Sequence, residues 1–137
     1  MVNKVILIGN LGKDPEIRKL ESGATVARFS LATNENYKDK SGEWQTQTEW
    51  HDIVLWRNLA ERAENSLKKG FMIYLEGKLT TRSWEDQEGN KRRTTEVVGS
   101  YFRNLTKKEG MSSGDPNSGS ESSHFDSDGP EDDDLPF

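Results

Sequence analysis

The apolar residues of this chain come in short runs and alternations, cut apart by glycines, prolines and polar clusters. Val5-Ile6-Leu7-Ile8 is a β-branched run closed by Gly9 and Gly12, and it reads as a buried strand. Asp14-Pro15 breaks it and Gly23 marks a turn. Ala24 to Thr33 alternates, with Ala27, Phe29 and Leu31 on one face, and predicts a second strand. Residues 34–46 are polar and read as an exposed hairpin loop. Gln47 to Arg57 predicts a third strand. Side chains alternate across a strand, so His51, Ile53 and Leu55 share one face and Trp50, Asp52, Val54 and Trp56 the other.

Asn58 to Lys69 changes period. Leu59, Ala63 and Leu67 recur every four residues, which predicts a short helix. Asn58 can cap it, with Glu61 three residues on. Lys68 and Lys69 suit its C-terminal dipole and Gly70 its C′ position. Phe71 to Trp84 alternates again: Phe71, Ile73, Leu75 and Leu79 against Tyr74, Glu76, Lys78, Arg82 and Trp84. Asp86 to Asn90 is a turn cluster, and Lys91 to Asn104 predicts a fifth strand. The order is three strands, a helix, then two strands. That is the arrangement of an all-β, five-stranded OB-fold barrel with one short helix plugging an end.

Composition sets where this domain stops. Only 31% of the 137 residues are hydrophobic. From Gly110 onward there is no Lys, Arg, Ile or Val, and the large apolar residues are Met111, Phe125, Leu135 and Phe137. Such a stretch cannot bury enough surface to offset the entropy of ordering itself. Residues 1–109 are therefore expected to fold, and 110–137 to form a disordered Gly/Ser/Asp-rich acidic tail. The charges divide at the same place. All 19 basic residues lie in 1–109 with 16 of the 24 acidic ones, a net of +3; the other eight give the tail −8, and the two sum to the chain's −5. A mildly basic domain thus carries its own acidic appendage. The absence of cysteine excludes disulfides, thiol catalysis and thiolate-bound zinc. No apolar run approaches the ~20 residues of a membrane span, so no membrane association and a cytoplasmic location are expected.

The unusual chemistry is aromatic. Four Trp is many for so polar a chain. Trp50 and Trp56 share a strand face with Asp52. Trp84 sits beside Arg82, with Lys91, Arg92 and Arg93 across the same hairpin. Tyr37 and Trp44 accompany Lys38 and Lys40, and Lys69 adds a cation at the end of the helix. Aromatic faces can stack bases while Lys and Arg hold phosphates, a combination that binds single strands without reading their sequence. Against this, each Trp could be core, and the cations at 91–93 could merely protect a strand edge. The coincidence of both features at several sites favours binding. Candidate DNA contacts are Tyr37, Lys40, Trp50, Trp56, Lys69, Arg82, Trp84, Arg92 and Arg93. Nothing resembles an active site: His51 falls on the apolar-parity face, His124 lies in the tail, and Asp132-Asp133-Asp134 lack the fixed geometry a metal site needs. No enzymatic activity, cofactor or metal is expected.

The stretch from Asn3 to Glu16, with its Gly9-Asn10-Leu11-Gly12 core, resembles the opening of bacterial single-stranded DNA-binding proteins (SSB). Gln47-Thr48-Glu49-Trp50-His51, Tyr74 to Leu79 and Thr94 to Val98 resemble that family's third, fourth and fifth strands, in the same order. Asp132-Asp133-Asp134-Leu135-Pro136-Phe137 resembles its acidic C-terminal tip. The resemblance implies stacking by Tyr37, Trp50, Trp56 and Trp84, a homotetramer with His51 at the subunit interface, and capture of replication, recombination and repair proteins by the tip. It also implies a place on the bacterial nucleoid. The sequence departs at Tyr37, where a Trp is common, at Trp56, where a Phe is common, and at Asp52, where the best-known members carry a basic residue. The rival readings are another OB-fold module, primosomal or RNA-binding, and a metal-dependent nuclease.

Overall fold

Six strands and one helix build the domain in a computed structural model that describes residues 1–107. They are β1 (Val5–Leu11), β2 (Glu16–Lys19), β3 (Thr25–Lys38), β4 (Trp44–Trp56), α1 (Asn58–Ser66), β5 (Met72–Glu85) and β6 (Lys91–Asn104). The expected tail and its tip, Asp132 to Phe137, lie outside the described residues.

The sheet runs β1-β5-β6-β4-β3-β2 and closes on itself because β1 also pairs with β3. Val5 to Asn10 lie along β5, and then Asn10 and Leu11 turn onto Ala32 and Leu31. Gly9 permits that crossing, since a Cβ there would stand 2.2 Å from the Ala32 carbonyl oxygen. The result is the five-stranded OB barrel that the element order predicts. The short β2, which pairs with Thr25–Arg28 of β3, is an addition; a sequence that breaks at Asp14-Pro15 had concealed it. Leu11, Phe29, Leu31, Ile53, Leu55, Ile73, Leu75, Val97 and Phe102 fill the barrel. Helix α1 closes one end with Ala60 and Ala63, and Arg62 lies 4.6 Å over the Phe102 ring.

The helix is shorter than its periodicity suggests and starts differently. It ends at Ser66, so Lys68, Lys69 and Gly70 lie beyond it and do not cap it. Asn58 is its first residue, not its cap. That position falls to Arg57, at φ 56°, with no side-chain capping bond. Strand passes into helix here with a single residue between, so Arg57 alone must reverse the chain. It gives its N–H to Thr25 O and accepts from Glu61 N–H.

Two further expectations change. The first strand is not buried throughout: Val5 and Leu7 turn inward, while Ile6 and Ile8 stand 55% and 54% exposed. Residues 34–46 are not a loop. The β3–β4 ladder runs unbroken from Val26↔Trp56 to Lys38↔Trp44, leaving only a tight turn at 39–43. Each of β3, β5 and β6 has 14 residues, about 45 Å at ~3.3 Å per residue, and their outer halves project as two-stranded arms. Leu79 keeps the inward parity of β5 yet is half exposed, although Val97 opposite it is buried.

Both arms end in the same turn. Asp39 and Asp86 each accept, through Oδ1, the N–H groups two and four residues on: Ser41 and Glu43, and Glu88 and Asn90. Gly42 and Gly89 take φ 84° and 80°, a left-handed geometry natural to glycine.

Candidate nucleic-acid interface

The β3–β4 register sorts the aromatics. Directly opposed residues of an antiparallel pair share a face, so one outer face carries the rows Val26/Trp56, Arg28/Val54, Ser30/Asp52, Ala32/Trp50 and Lys38/Trp44. Trp44, Trp50 and Trp56 are 73%, 58% and 43% exposed, so none is core. Val54, between them, is buried, because β4 joins β6 there through Ile53↔Val97 and Val54↔Val98. The Trp50 ring lies against Gly12, where a Cβ would fall 2.4 Å from its Cζ3. One edge of an exposed indole thus rests against backbone.

The β5–β6 arm supplies a second platform. Trp84 is opposite Arg92, and Arg82 opposite Thr94, on one face. Trp84 donates Nε1–H to Thr94 Oγ1 at 2.8 Å, which fixes the plane of a 43% exposed ring. A cleft of about 550 Å³ lies against it, lined by Ser83, Glu85, Lys91, Arg92 and Arg93. Arg92 also bonds Asp86 Oδ2 at 3.1 Å and so is held at the turn. Arg93 belongs to the opposite row parity, facing Ser83.

Not every candidate converges. Tyr37 is exposed at the end of β3 but pairs with Gln45, on the parity opposite to Trp44 and Trp50. Lys40 is exposed in the 39–43 turn. Lys69 is exposed, and its backbone N–H donates to Asp14 Oδ1, which places it beside the chain leaving β1. Arg82 is partly engaged: its Nε lies 3.3 Å from Glu96 Oε1, while Arg28 Nη1 lies 3.2 Å from Oε2. Glu96, only 7% exposed, had no signal in the sequence beyond its place in a polar stretch of strand. It orders two guanidinium groups along the wall between the arms.

His51 is half-buried opposite Leu31, with Nε2 2.9 Å from Thr33 Oγ1. On the far side of the barrel, Ile6 and Ile8 lie across from Glu76 and Tyr74, and Tyr101 lies across from Glu76. Tyr74 donates to Glu76 Oε1 at 2.7 Å and meets Tyr101 edge to face at 6.2 Å. Lys4 Nζ is 3.5 Å from the same carboxylate. The tyrosine and lysine hold the Glu76 carboxyl below its usual range, and Glu76 in turn pushes the Tyr74 phenol up.

Residues 2–105 match the family described as the single-strand binding protein family. A Plasmodium falciparum SSB solved in complex with ssDNA is 37% identical, with a TM-score of 0.72 over 77% of this chain and 97% of that one. A deletion mutant of the single-stranded DNA-binding protein from Thermus aquaticus is 30% identical, with a TM-score of 0.68 over 77% of this chain and 51% of that one.

Proposed function

This chain belongs to the single-strand binding protein family, and from that premise we propose that it coats and protects single-stranded DNA during replication, recombination and repair. The observation that carries the reading is the set of exposed indoles, Trp50 and Trp56 on the β3–β4 face and Trp84 on the β5–β6 arm beside Arg82 and Arg92. Stacking on each is worth about 1–3 kcal/mol per base and tolerates any base. The cations add phosphate contacts that weaken with salt. No reaction is required of any residue. Titrating poly(dT) into the protein tests this. Tryptophan emission is quenched, and log affinity falls against log salt with a slope of about −0.7 per phosphate neutralised. Unquenched emission, or affinity indifferent to salt, overturns it.

The same reading includes a homotetramer. Its support is the exposed Ile6, Ile8 and Tyr101 on one sheet face, together with the half-buried His51. It also includes recruitment of replication, recombination and repair proteins by Asp132, Asp133, Asp134, Leu135, Pro136 and Phe137. Their support is chemical: the acidic run repels phosphate and attracts basic partners, and Leu135 and Phe137 offer apolar anchors. Burying one such ring is worth about 1.5–3 kcal/mol. Deleting Phe137 abolishes capture of those partners and leaves poly(dT) affinity unchanged or slightly higher; retained capture removes the tip from this role. Such work places the protein on the bacterial nucleoid, in the cytoplasm; no helix among the described residues is long and apolar enough to cross a membrane.

A further inference from the structure

Between Trp50 and Trp56 the aromatic face changes character. Trp50 and Trp56 stand six positions apart on β4, about 20 Å at ~3.3 Å per residue, so a strand stacked on both must cross the gap with several nucleotides. The gap is a cavity of about 380 Å³, lined by Lys13, Arg28, Ser30, Asp52, Thr94 and Glu96 among others. That lies within the range of about 300–1,000 Å³ typical of small-ligand pockets. No indole lines it, but Trp50 and Trp56 hold the next rows of the same ladder, and Thr94, in its wall, accepts the bond from Trp84.

Its charge is wrong for phosphate. Its lining sets two cations, Lys13 and Arg28, against three carboxylates, Glu16, Asp52 and Glu96, and only Arg82, reaching Glu96 from outside the lining, balances the third. Two of those carboxylates differ sharply. Glu96 is buried and occupied by both guanidinium groups. Asp52 is exposed, and its carboxylate takes no hydrogen bond or ion pair among the described residues. It presents free acceptors beside Arg28, which gives Nη1 to Glu96 and keeps its other nitrogens. Arg28 and Asp52 are diagonal neighbours across the ladder, about 7–8 Å apart in backbone terms. A carboxylate and a guanidinium at that separation can address two edges of one base.

We propose that this pocket is a subsite for a single guanine, a local preference within a binder that is otherwise indifferent to sequence. The inference rests on the single-strand reading above. The Asp52 carboxylate accepts the guanine N1–H and N2–H, and the Arg28 or Lys13 cation donates to O6 and N7, the atoms Arg and Lys commonly address. Thymine fits poorly, because its one N–H is flanked by two carbonyl oxygens that repel a carboxylate. In unpaired DNA these edges are free to be read.

The test compares an all-thymidine strand with one of equal length in which isolated guanosines are spaced among thymidines, too sparse to self-associate. The wild-type protein holds the guanosine-bearing strand about five- to tenfold more tightly, the low end of one base-specific pairing. Asp52→Asn, at an exposed position whose side chain makes no internal bond, melts like wild type and binds the two strands alike, with all-thymidine affinity equal or higher because one charge that repels phosphate is gone. Equal binding of both strands by wild type overturns the guanine subsite alone, as does a preference that survives Asp52→Asn. Failure to bind either strand overturns the single-strand reading, and the subsite with it.

Discussion

Two outer faces of this barrel leave large apolar side chains in water, and they do so with different residues. The β3–β4 face offers Trp44, Trp50 and Trp56, each separated from the next by polar or charged rows. The β1–β5–β6 face offers Ile6, Ile8 and Tyr101, with its one carboxylate, Glu76, neutralised by Lys4 and tied down by Tyr74. An indole in a polar row suits a flat partner with charged edges, because stacking needs only the ring face while neighbouring cations stay hydrated. Branched aliphatic side chains offer no such plane, and they gain by meeting another apolar surface. Exposure alone therefore says little; the residues interleaved with the exposed groups decide what each face fits.

The largest effect should come from stripping the indoles, Trp50 and Trp56 on the first face and Trp84 on the β5–β6 arm. Alanine at Trp50, Trp56 or Trp84 removes one platform, and each should weaken single-strand binding roughly five- to a hundredfold, at about 1–3 kcal/mol per base. The melting temperature should hold, since the rings are exposed. Fluorescence titration and calorimetry read both. If all three variants bind as wild type does, the division between the faces has been drawn in the wrong place.

The second face should respond in the opposite sense. Ile8→Glu places a carboxylate where an apolar contact is proposed. Each buried isoleucine is worth about 1.5–3 kcal/mol, and an unpaired charge costs more. The concentration at which subunits separate should rise at least about tenfold, as seen by light scattering. Quenching per protomer at saturating DNA should persist. A variant that assembles like wild type would take Ile8 out of any interface.

How far the sequence revealed these faces depends on the range of the interactions concerned. Alternation in Ala27-Phe29-Leu31 and Ile73-Leu75 marks inward rows, because the pleat is local, and the barrel follows from element order. The β-branched run at Val5–Ile8 reads identically whether its second face is covered or open, so the exposure of Ile6 and Ile8 was not legible. The turn at 39–43 could have been found: Asp39-Lys40-Ser41-Gly42 repeats the spacing of Asp86-Gln87-Glu88-Gly89, yet the polar residues beside it read as loop. The Glu96–Arg28 pair could not, since the two are 68 residues apart and only the assembled sheet joins them. The seat of Trp50 on Gly12 is hidden for the same reason.

The smallest effect separates the faces by pH. In the arms, the Asn90 and Glu88 N–H groups and Arg92 hold Asp86 below its ordinary value of 3.8, and Ser41, Glu43 and Gln45 do the same for Asp39. A carboxyl whose folded value is depressed contributes stability that is complete above the unfolded value and fades as pH falls through the folded one. The turns should therefore be indifferent to pH from neutrality down to about 4 and loosen only below it. The other face has the same acid limit through Glu76, depressed from 4.5, and an alkaline one besides. Tyr74 is raised from 10.0 mainly because its hydroxyl donates to Glu76. A raised group contributes stability that is present below the unfolded value and lost as pH climbs through the folded one. The Tyr74–Glu76 contact should thus fail at both ends of the scale, the Asp39 and Asp86 turns at one. Carbon-13 NMR of the carboxyl and phenol carbons reads each midpoint directly. Asp39 and Asp86 should titrate below 3.8, and Tyr74 above 10.0, with Glu76→Gln bringing Tyr74 back down while both aspartates stay where they were. A Tyr74 midpoint unmoved by that substitution would show that the phenol is raised by something other than Glu76, and the two faces would then differ in residues but not in how pH reaches them.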